Sequence, residues 1–303
     1  MTRIFIFVVL TIFFARNAHA AVDLYSTLDT VNATIFKSLV DQAGLAGLLH
    51  GNTTFTVLVP SDASFAKIPA SDFNAIKANP TQLISVIKYH VISGRHESHS
   101  FAFGRHLFLN STNGHVIRVY RSSTGTHFNQ ANATKVDVTA TNGIIHVINT
   151  VLDVPEGTVI DILGNPNYNA STFLALVKRA GLDRNYANPT GLNQYTVFAP
   201  SNAAMAAFPQ ATLNALGNDT TNLRLLVEYH VHSGTLHSDA IARRTSVTTT
   251  LPAHSIAIST TQAGDIVLNG IASILLDDIE AENGIVHVIS HVLMPQILTP
   301  IVG

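Results

Sequence analysis

Hydrophobic residues recur at helical spacing in some stretches of the chain and form short continuous runs in others. Phe36, Leu39, Val40 and Ala43 lie on one face of a predicted helix that Gly44 ends. Runs rich in β-branched residues, such as 144–151, predict strands instead. The pattern therefore predicts a domain that contains both kinds of element.

The whole series of predicted elements occurs twice. Residues 56–65 (TVLVPSDASF) return as 196–205 (TVFAPSNAAM), and residues 142–148 (NGIIHVI) return as 283–289 (NGIVHVI), each about 140 residues later. In each copy, helices dominate the first half and strands the second half. This order favours an α+β fold over alternating βαβ units, so the sequence predicts two homologous α+β domains.

The ends of the chain fix the predicted boundaries. Residues 1–20 are predicted to be a signal peptide, because Arg3 precedes an apolar stretch and an Ala-His-Ala cleavage site follows it. The first domain is assigned to residues 21–155, the second to 156–296, and a short tail to 297–303. That tail is too short for a lipid-anchor signal, and no membrane span is expected. We therefore expect the mature chain to be secreted.

Three local predictions rest on single residues. The Asn-Gly pairs at 142–143 and 283–284 tolerate positive φ, which predicts a tight turn into the strand that follows. Thr34 and Ser171 are predicted to cap equivalent helices. Asp62 is predicted to face the positive end of its own helix.

Six asparagines stand in Asn-x-Ser/Thr sequons without an intervening proline, which predicts N-glycosylation in an exported chain. They are Asn32, Asn52, Asn110, Asn132, Asn169 and Asn218. Asn32 and Asn169 occupy equivalent positions in the two copies.

The composition excludes several classes of chemistry. The chain contains no cysteine, so it has neither disulfides, nor cysteine-based zinc sites, nor a cysteine nucleophile. Only 12% of the residues are charged and the net charge is −2, which gives no basic face for nucleic acid. We predict no nucleic-acid partner and no cofactor.

The fifteen histidines motivate one alternative, a secreted metal-dependent or hydrolytic enzyme that uses histidine-rich loops. His96 and His99 resemble part of a zinc-protease motif, but they are one residue short of the i, i+4 spacing of its histidines. His230, His232 and His237 could gather around a metal, yet the first copy has no equivalent cluster. We therefore expect no metal site and no enzyme.

Taken together, the TVLVPSDASF block, the Tyr-His dipeptides and the Asn-Gly-Ile-Ile/Val-His strands resemble the fasciclin domain, also called FAS1 or beta-ig-h3. The resemblance covers nearly all of residues 22–295, twice and in the family's order. It implies a β-wedge or sandwich with helices packed over it. It also implies a secreted or surface-attached protein of adhesion, extracellular matrix or cell wall.

The same resemblance implies candidate ligand-binding residues, because an Asp-Ile dipeptide and the Tyr-His region are implicated in integrin-mediated attachment by animal members. The matching positions are Asp137, Val138, Asp278, Ile279, Tyr89, His90, Tyr229 and His230. A structural alternative remains for each group. The aspartates can hydrogen-bond turn amides, and the histidines, which lie on apolar helix faces, can be buried and hydrogen-bonded.

These observations lead to one expected function. We expect a secreted, glycosylated, non-catalytic adhesion or extracellular-matrix protein whose partners are matrix, a cell-surface protein or cell-wall polysaccharide. Polysaccharide is the less favoured partner, because the chain has no tryptophan for sugar stacking. The oligomeric state stays open.

Overall fold

The computed structural model describes residues 22–188 and 193–301. The predicted signal peptide, 1–20, and the last two residues of the predicted tail lie outside these ranges. The described chain forms two domains of the same architecture, each a seven-stranded sheet with helices packed against it. None of the described helices has both the length and the apolar character needed to cross a membrane.

The first domain places its helices mainly before its strands. The helices are α1 (Leu24–Thr27), α2 (Thr34–Gln42), α3 (Ala46–His50), α4 (Asp62–Phe65), α5 (Ala70–Ala78) and α6 (Pro80–Tyr89), with 3-10 turns at Leu28–Val31 and Ser98–Ser100. The strands are β1 (Phe55–Pro60), β2 (Val91–Ser93), β3 (His106–Asn110), β4 (Val116–Ser122), β5 (Gly125–Phe128), β6 (Ala131–Ala140) and β7 (Gly143–Ile148). They lie in the order β2-β1-β7-β6-β5-β4-β3.

The second domain repeats this series. Its helices are α7 (Val159–Gly164), α8 (Ser171–Arg179), α9 (Asp183–Tyr186), α10 (Asn202–Ala207), α11 (Gln210–Asn218), α12 (Thr220–Tyr229) and α13 (Ser238–Ala242), with 3-10 turns at Pro166–Tyr168 and Gln296–Ile301. Its strands are β8 (Tyr195–Pro200), β9 (Val231–Ser233), β10 (Ser246–Thr248), β11 (Ser255–Thr260), β12 (Ile266–Leu268), β13 (Ala272–Ala281) and β14 (Gly284–Ile289). They lie in the order β10-β11-β12-β13-β14-β8-β9.

A parallel pair of strands lies next to one edge strand of each sheet, β1 with β7 and β8 with β14. Every residue of these four strands is buried, because helices cover one face and the outer strands fold over the other. In β1, Val57 and Val59 pack in the core beneath the helices, while Leu58 packs in the second core. Successive side chains of one strand point to opposite faces of the sheet, so they pack into two different cores.

The glycine that begins β7 is required by close packing of the backbone. Gly143 does not have a positive φ, so the predicted positive-φ turn is wrong. A Cβ at this position would lie 2.0 Å from the carbonyl oxygen of Phe55, and one at Gly284 would lie 2.1 Å from that of Tyr195. The preceding Asn142 accepts from the main-chain N–H of Leu24 at 2.7 Å, which ties α1 to this corner.

The predicted helix caps are also wrong, because a neighbouring helix supplies them. Ala33, not Thr34, is the N-cap of α2 and makes no side-chain cap bond. Instead, Asp62 from α4 accepts from the main-chain N–H of Ile35 at 2.9 Å. In the second domain the N-cap of α8 is likewise Ala170 and not Ser171. Asn202 is the equivalent of Asp62 there, and its side chain accepts from the N–H of Thr172 at 2.9 Å.

Polar side chains join the two domains. His115 of the first domain contacts Glu282 of the second, with 2.9 Å between Nδ1 and Oε1. The buried guanidinium of Arg118 donates to Oε1 of Gln194 at 3.2 Å, and Glu280 lies near enough to favour its charge. These contacts place the β13 region of the second domain against the first.

Candidate functional site

Asp137 and Asp278 occupy matching β-bulges rather than the turns that follow. The register of β6 on β7 shifts between Lys135 and Val138, and that of β13 on β14 shifts between Leu276 and Ile279. Two residues of the bulged strand therefore lie opposite one residue of the partner strand. Both aspartates have a positive φ, 60° and 53°, which asparagine and aspartate tolerate better than most residues.

The bulge in the first domain is held by a buried histidine and by a serine. The main-chain N–H of Asp137 donates to Nδ1 of His146 at 3.3 Å, and Nε2 of His146 donates to the carbonyl of His96 at 2.9 Å. The carboxylate of Asp137 accepts from the N–H of Ser98 at 2.8 Å and also from its hydroxyl. The side chain therefore closes a loop between β2 and β6.

The second domain builds the same network. The N–H of Asp278 donates to Nδ1 of His287 at 3.2 Å, and Nε2 of His287 donates to the carbonyl of Leu236 at 2.9 Å. The carboxylate of Asp278 accepts from the N–H and the hydroxyl of Ser238 at 2.7 and 2.6 Å. Two independent copies of one geometry thus fix the direction of both aspartates.

The electrostatics keep the first carboxylate ionised. Burial works to raise the pKa of Asp137, but the hydrogen bonds from Ser98 and the nearby His146 and His99 lower it below its usual value. Both carboxylates remain partly open to solvent, with side-chain exposures of 34% for Asp137 and 36% for Asp278. Since an ionised carboxylate has about four acceptor positions, each retains capacity for an external donor. Val138 and Ile279 beside them are half-buried.

The Tyr-His dipeptides lie inside the domains. His90 donates from Nδ1 to the carbonyl of Val86 at 2.8 Å, and its Nε2 accepts from the N–H of Leu152 at 3.0 Å. Tyr89 is fully buried and donates to the carbonyl of Val116 at 2.9 Å. The alternative of a buried, hydrogen-bonded histidine is confirmed, because His90 ties the end of α6 to the chain beyond β7.

Tyr229 and His230 repeat these contacts. His230 donates from Nδ1 to the carbonyl of Leu226 at 2.8 Å and accepts from the N–H of Leu293 at 3.0 Å. Burial lowers the pKa of His90 and of His230 to about 4, so both imidazoles are neutral at physiological pH. Their side chains are not presented to an external ligand.

The histidines considered for a metal site have other partners. His96 contacts the carbonyl of Ser93 at 2.9 Å, His232 that of Thr248 at 2.6 Å, and His237 pairs with Glu280 at 2.6 Å. Among residues 22–188 and 193–301, no three histidine or acidic side chains are grouped as a metal would require.

The sequons of the described residues lie on the surface. The exposed asparagines are Asn32, Asn52, Asn110, Asn132 and Asn169. The side chain of Asn218 lies outside the described part of the chain. Asn32 and Asn169 share a left-handed conformation, with φ of 53° and 50°, at the end of equivalent 3-10 turns.

Sequence reasoning missed the serines that orient the aspartates. Ser98 and Ser238 stand about 140 residues apart, the spacing of the other matched blocks, so the internal repeat carried this signal. It also missed the groups at the domain junction, Arg118, Asp153 and Glu280, because no local pattern shows which surfaces of two domains meet.

Fold and site together define a tandem pair of α+β domains, each of which holds an aspartate on a β-bulge. The Fasciclin domain model matches residues 31–155 and again residues 168–295. The chain belongs to the fasciclin domain family.

Several relatives extend this result. The chain is 29% identical over 277 residues to the transforming growth factor-beta-induced protein ig-h3 of Sus scrofa, covering 90% of this chain and 39% of the relative. It is 26% identical over 283 residues to periostin of Homo sapiens, covering 90% of this chain and 32% of the relative. The chain thus spans less than half the length of either protein.

Among solved structures, the chain is similar to a FAS1 domain pair from the insect cell adhesion molecule fasciclin I. The TM-score is 0.43 at 19% identity, with 88% of this chain and 98% of that chain covered.

Proposed function

We propose that this chain is a secreted, glycosylated, non-catalytic adhesion or matrix protein, with domains at residues 21–155 and 156–296. Its ligands are components of the extracellular matrix, cell-surface proteins or cell-wall polysaccharide. Recognition involves Asp137-Val138 in the first domain and Asp278-Ile279 in the second. Membership of the fasciclin family supports this proposal.

The observation that carries the proposal is the duplicated, anchored carboxylate. Each domain uses a bulge, a buried histidine and a serine to fix one aspartate whose remaining oxygen positions face solvent. A side chain held in this way loses little conformational entropy when a donor binds it. Two such sites on one chain gain avidity when both engage the same surface.

Attachment of cells and of cell-wall fractions to the immobilised chain tests this function. The double variant Asp137→Asn with Asp278→Asn keeps the shape and an acceptor for each serine N–H but removes the charge. We expect attachment to fall at least about tenfold, because charge-assisted hydrogen bonds are roughly twice as strong as neutral ones.

A charge-matched control is Asp29→Asn with Asp239→Asn, since both side chains are exposed and lie one in each domain. This control should attach like the unchanged chain. Equal attachment by both double variants, with unchanged thermal unfolding, would place recognition away from the bulges. No attachment by the unchanged chain to any surface would contradict the adhesive function itself.

A further inference from the structure

A groove of about 890 Å³ lies where the two domains meet. Helices α5 and α6 of the first domain form one wall, through residues such as Ile76 and Val86. Residues 277–280 of β13 and Tyr168 form the opposite wall, and the connecting segment 150–156 forms the floor. Only the assembled pair of domains contains this site.

The volume and the walls suit a short segment of chain. About 890 Å³ lies at the upper end of the range of roughly 300–1,000 Å³ that is typical of small-ligand sites, so a whole folded domain does not fit inside. Ile76, Val86, Val154 and Ile279 line the groove and are only partly buried. Covering them with apolar side chains of a ligand would remove further apolar area from water.

The charged residues that line the groove are mostly acidic. The acidic residues that line it are Asp72, Asp153, Glu156, Asp277, Asp278 and Glu280. Lys67 is the basic residue of the lining, and its ammonium group already donates to the carbonyl of Asn149 at 2.9 Å. Glu280 is paired with His237, but the other carboxylates leave a negative field over an apolar surface.

Asp153 at the floor lies near other carboxylates of the groove. It retains access to solvent, and it accepts from Nε2 of Gln130 at 3.3 Å. The surrounding protein, followed by the carboxylates of Glu280 and Asp278, raises the pKa of Asp153 to about 6. A cation placed beside Asp153 would relieve this repulsion.

We propose that the groove binds a basic peptide segment of a partner protein, with lysine or arginine over Asp153 and Asp277 and apolar side chains against Val86 and Ile279. Charge complementarity selects the basic residues, and the partly buried apolar walls select their neighbours. A neutral or acidic polysaccharide would supply neither the positive charge nor the apolar side chains that these features select. Asp278 and Ile279 of the second bulge also line this groove, so the site overlaps the second bulge, but it requires no contact with Asp137.

A tryptophan reporter makes the test direct, because the chain contains none. Thr81 is exposed at the groove, so Thr81→Trp introduces a single indole there. The probe is a synthetic peptide of alternating lysine and leucine, added to the full two-domain chain at low ionic strength. We expect a saturable change in emission that weakens when salt shortens the Debye length to about 3 Å at 1 M.

The groove variant is Asp153→Asn with Asp277→Asn in the Thr81→Trp background, and we expect it to weaken binding about tenfold. The matched control is Asp29→Asn with Asp239→Asn, which removes the same charge elsewhere and should leave binding unchanged. Asp137→Asn alone in the Thr81→Trp background should also leave peptide binding unchanged. This result would show that peptide binding does not depend on the first bulge. Thermal unfolding verifies that each variant is folded.

Four results would overturn the proposal. The first is equal binding by the groove variant and the control variant. The second is equal binding of a lysine–serine peptide, which would mean that the apolar walls are not used. The third is absence of any saturable emission change with the lysine–leucine peptide. Binding of a glutamate–leucine peptide at the same affinity would likewise exclude recognition by charge.

Discussion

The two domains share their buried polar network but differ in the strands farthest from it. Asp137 and Asp278 have the same serine, histidine and main-chain partners. In contrast, the β10–β12 strands are shorter than their counterparts β3–β5, and α13 replaces the 3-10 turn at Ser98–Ser100. The comparison teaches that the network fixes the frame around each aspartate, while the outer strands accommodate different sequences.

A second difference concerns the face that meets the other domain. Glu280 is buried and pairs with His237, whereas Thr139, which occupies the same register in the first domain, is exposed. Arg118 of the first domain lies near Glu280. The β13 surface of the second domain is therefore part of the domain junction, and the corresponding β6 surface is free for other contacts.

The largest expected effect tests what the domains share. In Gly143→Ala the new Cβ would meet the carbonyl oxygen of Phe55, and in Gly284→Ala it would meet that of Tyr195. Each should cost more than about 4 kcal/mol and unfold its own domain, because the buried parallel strands cannot separate without losing core packing. Hydrogen exchange read by mass spectrometry would locate the loss.

The control for this prediction is Gly47→Ala. Gly47 lies within α3, and a Cβ there would meet nothing within 4 Å. Alanine should therefore be neutral or stabilise by up to about 1 kcal/mol. A Gly143→Ala variant as stable as this control would contradict the close packing of β1 against β7.

The next effect is a pH dependence that should be equal in the two domains. Because burial lowers the pKa of His90 and His230 from 6.5 to about 4, the unfolded chain binds more protons between these values. Stability is then complete above pH 6.5 and falls toward pH 4, by about 3 kcal/mol for each histidine. Urea unfolding followed by far-UV circular dichroism at pH 7.5, 5.5 and 4 measures it.

His90→Gln sharpens the comparison, since it removes the titration from the first domain alone. The pH dependence of that domain should shrink while that of the second remains. A urea midpoint of the unchanged chain that does not move between pH 7.5 and 4 would contradict neutral, buried histidines.

The smallest expected effect comes from a charge that only the second domain carries at this register. Glu280→Gln removes the charge beside His237 and Arg118, and we expect a loss of about 2–3 kcal/mol because a buried cation loses its compensation. The matched Thr139→Gln in the first domain is exposed and should change stability by less than about 0.5 kcal/mol. Equal urea midpoints for the two variants would remove the proposed asymmetry.

The repeat in the sequence was sufficient to predict the α+β class and the two copies. The hydrophobic runs located β1 and β7, because strands buried on both faces are nearly continuous apolar runs, here with Thr56 and His146 as their polar residues. The weaker strands β2 and β5 escaped prediction. They contain three and four residues, too few to establish an alternation.

The wrong predictions share one physical cause, which is contact between distant residues. Gly143 was interpreted through local turn chemistry, but its role depends on Phe55 in another strand. Thr34 was assigned as a cap, but Asp62 from α4 caps that turn. Local rules describe what a residue tolerates, and the fold decides which of its properties is used.

The parallel pairing of β1 with β7 also affects folding during synthesis on the ribosome. Phe55 pairs with Gly143, which the ribosome adds about 90 residues later. At roughly 5–20 residues per second, β1 waits on the order of 4–18 s for its neighbour. During that interval an apolar strand has an open edge, and the second copy repeats the delay. A nascent chain of this design would be vulnerable to misassembly between its two similar halves, and chaperones that shield β1 and β8 should raise its yield.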